Sequence, residues 1–199
     1  MPEAAGPAHV VLVGLMGSGK TTVGKKVASL LGRTFVDADD ELEARSGRSV
    51  AAWFEEEGEV GFREAEADLL DDLLSSGDPL VIGAGGGLVV TGRARARLQG
   101  DDVVVAYLHG DPAFLGSRAK PKPHRPLLHG DVDPKAILAQ MYEARDPWYR
   151  EVADAVVEVQ PAHEAGERPK WRLAEAVVEA LVARGEVAAE AVHREVVPS

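Results

Sequence analysis

The 199-residue sequence contains no cysteine, which excludes a disulfide-stapled fold, an iron–sulfur cluster and any zinc site built on thiolates. Positive charge is in short supply: 22 Lys and Arg stand against 33 Asp and Glu, a formal charge of −11. Proteins that grip nucleic acid by its phosphates usually present a basic face, so no nucleic-acid partner is expected. No apolar run approaches the roughly 18 residues of a membrane span. The longest, Val10 to Val13 and Val103 to Tyr107, have the length of strands. The opening MPEAAGPAHV lacks the basic region followed by an apolar one that a secretory signal carries. A cytoplasmic protein without membrane association is the expectation. Internal repeats and long linkers are also missing.

What remains is 45% hydrophobic and 28% charged, the composition of an ordinary globular protein. At about 150 residues per domain the length suggests one domain, taken as 1–184, with 185–199 expected to form a flexible tail because its periodicity is weak.

Five short apolar, β-branched segments read as strands: His9 to Val13, Thr34 to Val36, Pro79 to Ile82, Val103 to Leu108 and Ala155 to Val159. Between and after them, Thr22 to Leu31, Glu41 to Arg45, Val50 to Glu57, Glu64 to Leu74, Pro134 to Arg145 and Trp171 to Arg184 carry helical spacing. Alternating strands and helices predict an α/β fold with a five-stranded parallel sheet covered by helices on both faces. In such sheets ligands sit beyond the carboxyl ends of the strands, so chemistry is sought in the loops that follow them.

Gly14-Leu15-Met16-Gly17-Ser18-Gly19-Lys20-Thr21 matches G-x-x-x-x-G-K-[ST] in full, between an apolar strand and a helix. Its glycines let successive N–H groups curl around the α and β phosphates, and the helix N-terminus adds its positive end. Lys20 reaches the β and γ oxygens, and the Thr21 hydroxyl is placed to ligate Mg²⁺. This predicts nucleotide binding without fixing the reaction.

Further residues suggest what receives the phosphate. Asp37 and Asp39, two apart in a segment read as extended, share one side of it. One could hold Mg²⁺ through water and the other accept a hydrogen bond from a substrate hydroxyl, while Asp40 and Glu41 charge the first turn of a helix. Arg63, placed at a helix start, would by itself be a surface ion pair with Glu66 or Glu59. Gly85, Gly86 and Gly87 after a buried strand make a loose turn or admit a ligand to the backbone. Arg125 and Arg145 carry the planar fork that suits phosphates and carboxylates. The segment around Lys120 to Pro126, rich in proline and cations, reads as a mobile lid of about residues 112–130. His109 and His124 read as loop residues.

Together these residues resemble the shikimate kinase family over roughly residues 9–160. The motifs are GLMGSGKTTVG (14–24), FVDADDELEARSGRSV (35–50), GEVGFREAE (58–66), GGG (85–87), RPLL (125–128) and RDPWYREVA (145–153). The resemblance implies a P-loop kinase fold, with ATP and shikimate giving ADP and 3-phosphoshikimate in chorismate and aromatic amino acid biosynthesis. It further implies catalytic Lys20, Asp39 and Arg125. ATP would be held by Gly17, Ser18, Gly19, Lys20, Thr21, Thr22, Arg118 and Arg125, and shikimate by Asp39, Arg63, Gly85, Gly86, Gly87 and Arg145. Thr21 and Asp37 are implied as the Mg²⁺ site, and a monomer as the state. Where the family's strand before the glycines ends in a hydroxyl residue, this chain has Gly83 and then Ala84. A related kinase acting on gluconate or a cyclitol is the alternative, though a neutral cyclitol needs neither Arg63 nor Arg145. A non-catalytic nucleotide-binding regulator is a third reading.

Overall fold

The computed structural model describes residues 9–118, 133–185, 187 and 192. Five parallel strands lie side by side: β1 (His9–Val13), β2 (Thr34–Asp37), β3 (Leu80–Gly83), β4 (Val103–His109) and β5 (Ala155–Glu158), in the order β2-β3-β1-β4-β5. β1 is central and wholly buried, which is why Val10 to Val13 are apolar in succession rather than alternating.

The strand period of two sends neighbouring side chains to opposite faces. Val11 and Val13 of β1 and Val105 and Tyr107 of β4 join one core cluster; Val10, Leu12, Val104 and Ala106 join the other. The first cluster is closed by α2 (Ala38–Ser46), α3 (Val50–Glu56), α4 (Gly58–Leu74), α5 (Gly92–Leu98) and α7 (Pro134–Val152). The second is closed by α1 (Lys20–Leu31) and α9 (Pro169–Ala183). A short 3₁₀ turn (Leu88–Val90), α6 (Pro112–Arg118) and α8 (Val159–Glu164) complete the described elements. No helix among the described residues is long and apolar enough to cross a membrane.

Several local readings need correction. Asp39 does not lie in an extended loop: α2 begins at Ala38, so Asp39, Asp40 and Glu41 occupy its first turn, where carboxylates meet the positive end of the helix. α4 starts at Gly58 rather than Glu64, which puts Arg63 in its second turn. α7 continues past Arg145 to Val152 with Pro147 inside it. Fully buried Tyr149 lies beyond the proline, so tertiary packing overrides a breaker signal that costs about 3 kcal/mol or more. His109 ends β4 instead of lying in a loop, with Nδ1 against Glu158 Oε2 at 2.7 Å and Nε2 against the Tyr142 hydroxyl at 3.0 Å. Of the expected lid, residues 112–118 form α6; the remainder, with Arg125 and His124, lies outside the described residues. So does most of the 185–199 segment.

Candidate active site

The loop from β1 to α1 turns through left-handed backbone at Gly14 (φ 139°), Gly17 (87°) and Gly19 (98°). At Gly14 a β-carbon would also come within 2.7 Å of the Leu108 carbonyl oxygen, so a side chain is excluded twice over. Lys20 opens α1, and its ammonium donates to the Gly14 and Leu15 carbonyls at 2.7 and 3.2 Å, spanning the loop it belongs to. Ser18 is buried, with its N–H on the Leu15 carbonyl at 3.3 Å and its side chain packed beside Gly14. Gly17, Gly19, Lys20, Thr21 and Thr22 face a cavity of about 520 Å³; the Ser18 side chain does not.

The Thr21 hydroxyl donates to Asp37 Oδ2 at 2.7 Å, joining α1 to the end of β2. Two oxygen donors beside the phosphate loop are the hard ligands that Mg²⁺ takes. Gly83 pairs in register with Asp37, and a β-carbon there would press on the Phe35 ring at 3.1 Å. Gly24, from α1, gives way to the same ring. Phe35 therefore fills the space that a hydroxyl side chain at position 83 would need.

Across the cavity, three elements meet at Gly85 to Gly87. α4 brings Arg63, whose guanidinium reaches Glu66 Oε2 at 2.5 Å and Glu59 Oε1 at 3.1 Å, over the Phe62 ring. Arg63 and Glu66 are buried, so the surface ion pair expected from the sequence is an interior one. Burial pushes the Glu66 carboxyl up to about 7, against the lowering influence of Arg63 and with Asp39 raising it further. α7 brings Arg145 and, one turn on, Tyr149. Both donate to the Gly86 carbonyl, at 2.9 and 2.5 Å. α2 brings Asp39.

The glycines are required by these approaches. A β-carbon at Gly87 would overlap the Arg63 guanidinium, and one at Gly85 would meet Glu66 and lie 2.7 Å from Asp39 Oδ1. Asp39, Arg63, Gly86, Gly87 and Arg145 line the same cavity as the phosphate loop, while Gly85 supports it from behind. Gly86 also abuts the phosphate loop: a β-carbon there would be 3.7 Å from the Gly14 carbonyl oxygen.

Arg118, at the end of α6, also lines the cavity. Beside it stands Lys170, in the first turn of α9, which the sequence reading missed. A lysine after a helix-opening proline carries no signal for a site; its partners come from α1 and α6.

A parallel sheet with a nucleotide-type phosphate loop after its central strand, facing an acceptor pocket across one cavity, defines a P-loop phosphotransferase of small molecules. The family described as shikimate kinase matches residues 16–184. The chain is 47% identical to the shikimate kinase of Burkholderia lata over 151 residues, covering 76% of this chain and 80% of that one. It is 38% identical to the shikimate kinase of Nitrosospira multiformis, covering 90% and 87%. The structure of shikimate kinase from Acinetobacter baumannii in complex with shikimate superposes with a TM-score of 0.80 at 35% identity, over 90% of this chain and 96% of that one. The chain belongs to the shikimate kinase family and is an ATP-dependent kinase.

Proposed function

We propose that this site transfers the γ-phosphoryl group of Mg²⁺-ATP to the 3-hydroxyl of shikimate, releasing ADP and 3-phosphoshikimate. The observation that carries the reading is the pairing of two arginines, Arg63 and Arg145, on the glycine loop beside Asp39, facing the phosphate loop across one cavity. Two planar cations suit a carboxylated acceptor, and a neutral cyclitol would need neither of them. Family membership favours the same acceptor over gluconate.

In the bound state the loop amides of Gly17 and Gly19 hold the α and β phosphates, and the Lys20 ammonium reaches the β and γ oxygens. Lys20 exchanges its loop carbonyls for phosphate oxygens. Thr21 and Asp37 would hold Mg²⁺, which would supply positive charge against that of the phosphates. Arg63 and Arg145 take the acceptor's carboxylate, which leaves a ring hydroxyl beside Asp39. Asp39 accepts that hydroxyl's hydrogen bond and, as its oxygen bonds to phosphorus, its proton, while the bond to the ADP oxygen breaks. Arg118 packs on the adenosine side. Arg125, which lies outside the described residues, would join Lys20 in offsetting charge on the transferring group, as the family resemblance implies. On this reading the enzyme is a cytoplasmic monomer, as the family resemblance suggests.

The test is coupled ADP release with Mg²⁺-ATP, offering shikimate, gluconate and a neutral cyclitol in parallel. Turnover is expected with shikimate alone and is expected to disappear in Asp39→Asn. Turnover with gluconate and none with shikimate would overturn the acceptor assignment.

A further inference from the structure

Most arginines of this acidic chain hold a carboxylate: Arg63 pairs with Glu66, Arg93 with Asp68, Arg95 with Glu151 and Arg97 with Asp102. A group of three cations beside the phosphate loop does not. Arg118 of α6 and Lys26 of α1 both repel Lys170 of α9, and no carboxylate among the described residues forms an ion pair with any of the three. The Arg118 Nε is buried with no hydrogen-bond partner among the described residues, and its guanidinium lies over the Phe114 ring. Lys26 lies over the Trp171 ring at 4.0 Å. Burial, with Arg118 and Lys26 adding repulsion, pulls the Lys170 ammonium below its ordinary value. Three like charges held together at a half-buried place cost free energy unless an anion joins them.

Their position says which anion. The Lys170 ammonium is 3.6 Å from where a β-carbon on Gly19 would stand, at the start of α1. Thr22 borders the main cavity, which Arg118 and Lys170 line, and also a second hollow lined by Lys26 and Trp171. Lys26 follows Thr22 by four residues and so shares its face of the helix. The acceptor pocket instead meets the phosphate loop through Gly86, near Gly14 and Met16. The trio thus lies on the flank of the loop away from the acceptor, with Lys20 and Thr21 between.

We infer that Lys170, flanked by Arg118 and Lys26, is a nucleotide-binding residue that holds the α-phosphate of ATP and ADP. This rests on the proposed reading in which the loop holds ATP. Because the α-phosphate is common to donor and product, Lys170 sets the affinity of both, makes no contact with the transferring group, and leaves the acceptor site alone.

Isothermal titration of the full chain with Mg²⁺-ADP, Mg²⁺-ATP without acceptor, and shikimate tests this in Lys170→Gln and Lys170→Arg. Loss of one charge-assisted contact is expected to weaken both nucleotides by the same factor, about tenfold, in Lys170→Gln. Lys170→Arg is expected to retain most of the affinity, and shikimate binding to stay as in the wild type. Unchanged Mg²⁺-ADP affinity in Lys170→Gln would overturn the inference, as would a loss confined to ATP, which would put the lysine at the γ-phosphate. A wild-type chain that bound no Mg²⁺-ADP would instead overturn the phosphate-loop reading beneath it. Arg118 and Lys26 repel the Lys170 ammonium, so without nucleotide Lys170→Gln is expected to melt slightly above the wild type, and Lys170→Arg, which keeps the charge, at the wild-type temperature.

Discussion

Glu66 is a carboxyl at 7% exposure whose partner, Arg63, is also wanted by the substrate. Arg63, Asp39 and Arg145 are the charged groups that act on it. An acid raised from 4.5 to about 7 costs the folded state nothing below the lower value and its full penalty above the upper one. An incoming carboxylate adds negative charge to the same pocket and competes for Arg63, so shikimate binding should favour protonated Glu66 and take up a proton. Shikimate affinity, measured without nucleotide from pH 5.5 to 8.5, is therefore expected to fall as pH rises through about 7. The profile should flatten in Glu66→Gln; a flat wild-type profile would sink the assignment. Arg63→Ala and Arg145→Ala remove the clamp itself, each costing about 2 to 3 kcal/mol, on the order of a hundredfold in shikimate kcat/KM. At Gly87 the effect is steric: the β-carbon of Gly87→Ala displaces the Arg63 guanidinium, so shikimate binding should be lost while Mg²⁺-ADP binding persists, by titration of each ligand.

α7 carries the acceptor site as an element, because Arg145 and Tyr149 are four residues apart on one face and converge on the Gly86 carbonyl. Tyr149 is fully buried and stacks on Tyr107, whose hydroxyl donates to Asp146 at 2.9 Å of the same helix. Tyr149→Phe keeps the stack and removes one donor to Gly86. It should cost about 1 kcal/mol in thermal unfolding and raise the KM for shikimate more than it lowers kcat. That residue could not have been found by reading the chain: Pro147 reads as a helix stop, and only the packing of α7 on β4 carries the helix through it. Asp39 is legible as a candidate residue but reads as part of an extended segment, where the helix dipole makes a first turn equally suitable for a carboxylate. The phosphate loop, the five strands and the glycine run were legible, since each is a local pattern imposed by local geometry: buried parallel strands must be apolar throughout, and positive φ needs glycine. Short elements such as α6 and α8, seven and six residues long, carry too few turns for a periodic signal. The Lys26, Arg118 and Lys170 group is invisible for another reason: its members come from three helices, and no spacing rule links them.

At the scale of the whole molecule, the proposed function puts two binding sites against opposite sides of one glycine loop. The nucleotide side is built from the loop, α1, α6 and α9, and the acceptor side from α2, α4 and α7 with the Gly85 to Gly87 turn. The two core clusters, one on each face of the sheet, underlie different sides: α1 and α9 belong to one, and α2, α4 and α7 to the other. A ligand that binds only the folded chain stabilises it by RT ln(1 + [L]/Kd), so each site can be read separately as a thermal shift. At a hundredfold excess over Kd, either ligand should add about 2.7 kcal/mol, a few degrees for a chain of this size. Arg63→Ala should abolish the shift from shikimate and keep that from Mg²⁺-ADP. Lys20→Ala should do the reverse, because the ammonium it removes donates to the Gly14 and Leu15 carbonyls of the phosphate loop and, in the proposed reading, serves the nucleotide phosphates. Loss of both shifts in either variant would mean that the two faces are coupled through Gly14 and Gly86, where the sites touch, rather than built as separable halves.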